Sequence, residues 1–408
     1  MYKTREEFIR ALGVEEMPEQ FGARFDETMS EYERDGVWFL SDDYIERTQA
    51  ALGVYRVKYE FVKNAAKRVR ENDFLARYAL LLYDMLLHRP EGEEIYLKKF
   101  PHGEGPTENT DYEMAAHFAK LAFAPEIAEY FRARKLPEDV IADTLNDCFE
   151  ATIKICNDCF GRDGAHPRAF GWNQLFLNHK ILRIGVLNFE MRPRFTSSVT
   201  VFQNKSGKTV ILANDRDIAP NGQMAGSAGC AEVAYHAVIE ETADYYEGHP
   251  ADPVFAVFNE KTVRLDKRKW HVALSADDHV INVHIPSSVD LSVENTEAAY
   301  RRAAEIFAAY FPEFHPKAFV CFSWLMDPQL REMLKPTSKI LAFQSKFQRF
   351  AYKDTGGMAV REFLFKKPVT RLEDWVEDTS LQRSVKAFYL SGHYIYAQGG
   401  IFFDYIQK

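Results

Sequence analysis

Apolar residues recur every three to four positions through the first part of the chain and every second position through much of the rest, with the change of period at Ile181. The first pattern predicts amphipathic helices and the second predicts half-buried strands. Thr4 and Glu7 form a capping box ahead of Phe8, Ile9 and Leu12, and Gly13 suits the turn that ends this helix. Phe21, Phe25, Met29 and Tyr32 mark a second helix. Ser41 or Asp42 opens a third, which carries Ile45 to Leu52 and stops at Gly53. Val57, Phe61, Ala65 and Val69 line a longer helix, and Leu75, Ala79, Leu82 and Leu86 line another beyond the cap Asp73. Residues 112–123, 125–134 and 137–160 continue the helical period with short breaks, as in a bundle. Residues 98–110, rich in glycine, proline and charge, read as the mobile connector of this half. Trp172, Leu175 and Phe176 give one last helical face.

From Ile181 the alternation of Leu182, Ile184, Val186, Asn188 and Glu190 predicts one strand, closed by Pro193. Residues 199–203 and 209–213 flank an Asn-Lys-Ser-Gly turn and read as a hairpin. A polar, glycine-containing loop at 214–230 follows. Residues 231–246 lean to strand, 254–258 form a strand and 267–273 a short amphipathic piece. The stretch 278–350 then reads strand, loop, helix, strand, helix. Ile281, Val283 and Ile285 lie on one face of its first strand and Val280, Asn282 and His284 on the other, up to Pro286. Asn295 or Thr296 can cap the helix carrying Ala299, Ala303, Ile306, Phe307, Tyr310 and Phe311. The wholly apolar run 318–326 predicts a strand buried on both faces, and Asp327-Pro328 starts the next helix. Strands 350–352 and 360–365 and a helix near 381–390 complete the reading. A crossover of this length makes the strands at 279–285 and 318–326 parallel neighbours, and ligands in such sheets bind beyond the strand C-termini. The candidate site therefore lies at 284–288 and 323–327.

Composition narrows the function classes. At 408 residues the chain exceeds a typical single domain, so two are expected, a helical one over 1–170 and an α+β one over 171–408. Its 46% hydrophobic and 27% charged residues are those of a soluble globular protein. A net charge of −9 with no basic cluster argues against a nucleic-acid partner. No apolar run approaches the ~18 residues of a membrane span, the charged start has no secretory signal, and the cysteines look unpaired, so a cytoplasmic location is expected. Cys148, Cys156 and Cys159 fall at helical spacing with Ile141, Leu145 and Phe149, which favours core packing over a metal site.

The run Ile-Leu-Arg-Ile-Gly-Val-Leu-Asn-Phe-Glu at 181–190, the strand 278–286 ending His-Ile-Pro, the run Phe-Ser-Trp-Leu-Met-Asp-Pro at 322–328 and Thr-Ser-Lys-Ile at 337–340 followed by Phe343 together resemble a bacterial acyltransferase family. Its members join a helical N-terminal domain of the N-acyltransferase type to a GNAT-like C-terminal domain. The resemblance spans the whole chain. It implies an α/β (α+β) fold, acyl-CoA as co-substrate and a small-molecule amine as acceptor. The aromatic residues of the helical half give apolar area for a pocket, so that half is expected either to shape the acceptor side of the cleft or only to shield one sheet face. In the GNAT-like scheme two neighbouring parallel strands splay to admit the pantetheine arm, and the pyrophosphate lies on the following helix N-terminus. His284, at a strand end, becomes the candidate base, with Glu190 sharing the task and Ser323 donating to the leaving sulphur. Ser287, Ser288 and Asn295 become candidate phosphate ligands. The loop 287–294 departs from the GNAT phosphate signature, since it holds no glycine and two acids. Gln223, Gly226 and Ala228 match that signature outside the expected position. Two further readings stay open: a small-molecule binding module without transfer chemistry, and a serine hydrolase using Ser227 between Gly226 and Gly229.

Overall fold

The helical period of the first part is realised in nine α-helices among the described residues: Arg5–Ala11, Phe25–Asp35, Asp42–Leu52, Tyr59–Glu71, Asp73–Leu87, Asn109–Leu121, Ala124–Ala133, Glu138–Phe160 and Ala169–Leu177. The computed structural model describes residues 4–14, 17–90, 92–97, 109–166, 169–354, 358–365 and 371–406, so nearly all of the expected mobile connector at 98–110 lies outside them. The Thr4/Glu7 capping box and the Ser41 cap form as expected. Asn72 rather than Asp73 caps the long helix Asp73–Leu87, accepting from the N–H groups of Phe74 and Leu75. That helix is the spine of the helical core, with Leu75, Ala76, Tyr78, Ala79, Leu80, Leu81 and Leu82 all buried. Such all-round burial is expected of a helix surrounded by others. Cys148 and Cys156 are buried in the helix Glu138–Phe160. No helix among the described residues is long and apolar enough to cross a membrane.

Contacts divide the chain into two compact units, Met1–Arg183 and Ile184–Lys408. The main sheet has six strands: β1 (Ile181–Ile184), β2 (Leu187–Arg192), β3 (Val280–His284), β4 (Ala318–Ser323), β5 (Gln348–Ala351) and β6 (Gln398–Phe402). Their order is β1-β2-β3-β4-β6-β5. The expected single strand from Ile181 is instead two strands joined by a tight turn at Gly185 and Val186. Gly185 has φ +58° there, a left-handed conformation that glycine adopts without steric cost. β3 and β4 are parallel neighbours joined by the crossover helix Val293–Tyr310, as the strand–helix–strand order predicts.

Side-chain alternation gives β3 and β4 two different faces. Phe189, Phe319 and Phe402 surround Tyr300 of the crossover helix, at ring distances of 6.2, 5.7 and 4.8 Å. On the opposite face Val280, Ala318, Val320, Phe350 and Ile401 join a second core with Val199, Val201 and Ile211 of the hairpin Val199–Asn204/Thr209–Ala213. Trp270–Leu274 adds a third strand to that hairpin.

Three sequence expectations fail locally. The apolar run at 318 ends as a strand at Ser323, and residues Trp324–Met326 form a 3-10 turn whose first N–H groups need a cap. Residues 360–365 are helical within Met358–Phe365, packing Val360 and Phe365 into a small satellite core with Trp375 and Val385. β6 was not expected at all. Its Gly399 and Gly400 leave no side chain to show a period, because Phe350 and Phe347 cover those positions; a Cβ at Gly399 would lie 2.3 Å from the Phe350 ring.

Candidate active site

The parallel ladder between β3 and β4 runs through Val280↔Ala318, Ile281↔Phe319 and Asn282↔Val320, and there it stops. Both strands continue. β3 stays paired with β2 as far as His284↔Asn188, and β4 stays paired with β6 as far as Ser323↔Gln398. Each strand thus keeps its outer neighbour while the two part from one another beyond Asn282 and Val320. A gap between the C-terminal ends of neighbouring parallel strands exposes backbone that can pair with an extended ligand.

One side of this gap carries a polar group on an otherwise apolar face. Because directly opposed residues share a face, Asn188, Glu190, Asn282 and His284 all project to the same side of β2 and β3. The Glu190 carboxylate is the hub. Its Oε2 lies 2.7 Å from His284 Nε2 and accepts from Asn282 Nδ2 at 2.8 Å, while its Oε1 accepts from Arg192 Nε at 3.2 Å. Burial works to raise the Glu190 pKa, but the hydrogen bond and charge of His284, with Arg192 and Asn282, outweigh it and hold the group at about 2. Glu190 is thus ionised near neutrality. A carboxylate only accepts, so His284 presents Nε2–H to it, and loss of one proton from the imidazolium would leave the lone pair on Nδ1. Glu190 is 7% exposed and Asn282 2%, whereas the His284 side chain keeps 27% of its surface open. Asn282 Oδ1 is buried without a hydrogen-bond partner among the described residues, an acceptor that a donor group from outside the protein would satisfy.

The other expected residues fall in different places. Ser323 ends β4 with the alternation of Cys321 and Phe319, so it lies on the opposite strand face from Phe322 and from the Glu190–His284 side. Its hydroxyl caps the 3-10 turn by accepting from Leu325 N at 3.1 Å. Ser287 and Ser288 are exposed in the loop after β3, with their hydroxyls 3.4 Å apart and Ser288 at φ +61°. The crossover helix begins at Val293 behind Ser292, so Asn295 is inside its first turn and is not the cap. Its Nδ2 lies 3.5 Å from the Asp290 carbonyl. Thr296, the alternative cap, donates back to the Ser292 carbonyl from within the helix. Asp290, one of the two acids of this loop, pairs with Lys339 at 2.8 Å.

The loop at 219–230 supports neither motif read there. An elbow serine needs a strand before it and a helix after it; Ser227 lies in a run of turns, is 5% exposed and accepts from Asp354 N. Gln223 is buried and accepts from Gln398 Nε2, and no helix follows Ala228 to receive a phosphate. No group of three or more metal-ligating side chains gathers among the described residues. Arg192 escaped sequence reasoning, although its period-two spacing from Glu190 puts the two on one strand face.

Three solved structures share this fold across nearly their whole length. An acyltransferase in complex with decanoyl-CoA and teicoplanin matches with TM-score 0.59 at 18% identity, over 97% of this chain and 98% of that one. An acyltransferase mutant in complex with octanoyl-CoA matches with TM-score 0.58 at 17% identity, again over 97% and 98%. A further acyltransferase complex with decanoyl-CoA matches with TM-score 0.57 at 20% identity, over 98% of both chains. No curated protein matches the sequence. Residues 46–178 match the N-acyltransferase N-terminal domain and residues 181–402 the GNAT-like C-terminal domain. The chain belongs to the family defined by that GNAT-like C-terminal domain, carried here behind an N-acyltransferase N-terminal domain.

Proposed function

We propose that the protein transfers an acyl group from acyl-CoA to the amine of a small molecule, with His284 as general base and Glu190 orienting it. The observation that carries this reading is the parting of β3 from β4 beyond Asn282↔Val320 with the Glu190–His284 pair on its rim. The gap suits the amide-bearing pantetheine arm, which can pair with one strand end. The solved acyltransferases of the same fold hold octanoyl-CoA and decanoyl-CoA, which supports a thioester donor for this chain as well.

The chemistry follows from the tautomer. His284 Nδ1 takes a proton from the acceptor nitrogen as that nitrogen bonds to the thioester carbonyl carbon, and the carbon–sulphur bond then breaks. Glu190, ionised and bonded to Nε2–H, stabilises the imidazolium that forms and fixes the ring. Of the two protons an ammonium acceptor loses, one ends on the CoA thiol and one reaches solvent. The Ser323 hydroxyl, which accepts from Leu325 N at the end of the second arm on the opposite strand face, keeps its proton as a candidate donor to the leaving sulphur. Ser287, Ser288 and the first turn of the crossover helix offer hydroxyls and backbone N–H groups to the CoA phosphates, with Lys339 offsetting Asp290.

A mass-spectrometric screen of acyl-CoAs of increasing chain length against a pool of amines tests the reading. It expects acylated amine and free CoA in equal amounts. Thermal stabilisation by acyl-CoA without any turnover would instead make the fold a binding module, and neither effect would remove acyl-CoA from the account.

A further inference from the structure

The same carboxylate that holds the imidazole also holds a guanidinium, and that guanidinium is only partly engaged. Arg192 meets Glu190 through Nε alone, and its Nη1 and Nη2 groups have no protein partner among the described residues. Several other arginines of this unit commit their terminal groups to carboxylates, while Arg216, Arg349 and Arg383 spend theirs on backbone carbonyls or neutral side chains. Arg264 reaches Glu247 through both Nε and Nη2, at 2.9 and 2.7 Å, Arg268 closes on Asp266 through Nη2 at 2.6 Å, and Arg194 on Asp277 at 2.6 Å. Arg192 is also fixed in direction. Its guanidinium carbon sits 5.7 Å from the ring centroid of Phe322, which belongs to β4, the second arm of the gap. The side chain starts on β2, passes Glu190 and ends over the opposite arm, on the strand face that carries His284. Phe322 is in turn flanked by Tyr352 at 4.7 Å and Phe195 at 6.5 Å, so the guanidinium lies beside an aromatic surface. A guanidinium held at one edge and backed by rings presents two parallel N–H groups, the geometry that a carboxylate accepts in bidentate fashion.

We infer that the acceptor is an amine that also bears a carboxylate, as an amino acid does, and that Arg192 binds the carboxylate while His284 receives the proton of the amine. This inference rests on the acyl-transfer reading above. Glu190 spans the two functions, with one oxygen on the base and the other on the anion binder, so the acceptor's two ends meet groups set one carboxylate apart. The charges complement one another. A zwitterionic acceptor brings its ammonium toward Glu190 and its carboxylate toward Arg192, and neither end is left against a like charge.

The experiment compares free amino acids with their carboxamides as acceptors, under the acyl-CoA that the enzyme turns over best, in the unmodified protein and in Arg192→Gln. In the unmodified protein the carboxamide, which keeps the shape and loses the charge, is expected to show a KM about ten- to a hundredfold higher, the range of a charge-assisted bidentate pair. In Arg192→Gln the KM for the amino acid is expected to rise to that of the carboxamide, so that their ratio falls to about one, while the KM for acyl-CoA stays within about twofold. Equal KM values for acid and carboxamide in the unmodified enzyme overturn the inference without needing any variant. A rise in the acyl-CoA KM with the acceptor KM unmoved also overturns it, since Arg192 would then serve the donor. In both cases transfer itself persists, which separates this failure from that of the acyl-transfer reading, where no amine is acylated by any acyl-CoA.

Discussion

Glu150 in the helical unit and Glu190 in the sheet are both buried carboxylates held at about 2 although burial works to raise each of them, and they reach that value through different partners. Glu150 accepts from the backbone N–H groups of Val57 and Lys58, from Asn146 Nδ2 at 2.8 Å and from Lys154 at 3.1 Å. Two of its donors are backbone groups that never titrate, and they tie the segment before the helix Tyr59–Glu71 to the helix Glu138–Phe160. Glu190 instead faces an imidazole that is part exposed, a guanidinium with open N–H groups and an amide with an unmatched oxygen. A depressed carboxylate alone therefore identifies no site. What distinguishes Glu190 is that its partners can change protonation or take a ligand.

The largest expected effect breaks the symmetry on the Glu190 side. His284→Gln keeps an N–H donor for Glu190 and removes the base, so turnover should fall about a hundredfold to ten-thousandfold while the thermal midpoint moves little. Steady-state kinetics beside a melting curve checks it; a melted protein whose folded fraction keeps full activity would make His284 structural. On the other side, Glu150→Ala leaves two backbone donors without an acceptor and should cost about 2–4 kcal/mol of stability, read by urea titration, with unchanged turnover per folded molecule.

Acid titration sharpens the contrast further. Both carboxylates have folded values below the ordinary 4.5, so each contributes stability that is fully present above 4.5 and is lost as pH falls toward about 2. Glu150→Gln and Glu190→Gln should therefore each flatten the dependence of stability on pH across that window. Only Glu190→Gln should also slow turnover at neutral pH. The smallest effect belongs to the phosphate loop: Ser287→Ala should weaken acyl-CoA binding several-fold, the worth of one neutral hydrogen bond at about 1 kcal/mol, measured by calorimetry.

The legible parts of this fold are those in which local pattern and final environment agree. The alternation at 279–285 and the apolar run from Ala318 mark strands, one half polar on one face and one buried on both, and the helix between them makes the pair parallel; all of this is readable before any coordinate. His284 and Glu190 are readable as strand-end polar residues, but their meeting depends on register. The 87 residues 193–279 separate β2 from β3 in the chain, and only the antiparallel pairing sets Glu190 opposite Asn282. β6 is illegible because its two central residues are glycines whose space is filled by phenylalanines from elsewhere. The helix at Met358–Phe365 looks like a strand because its short apolar run carries no clear period. Arg192 looks like any surface arginine until Phe322 is found beneath it.

The most direct test of the central claim is a co-structure with an acyl-CoA analogue whose thioester is replaced by a stable thioether. The account predicts the pantetheine arm between β3 and β4 beyond Asn282 and Val320, with the reacting carbon beside the imidazole of His284. An analogue bound elsewhere, or a β3–β4 ladder closed through to Ser323 with the ligand outside it, would contradict the account.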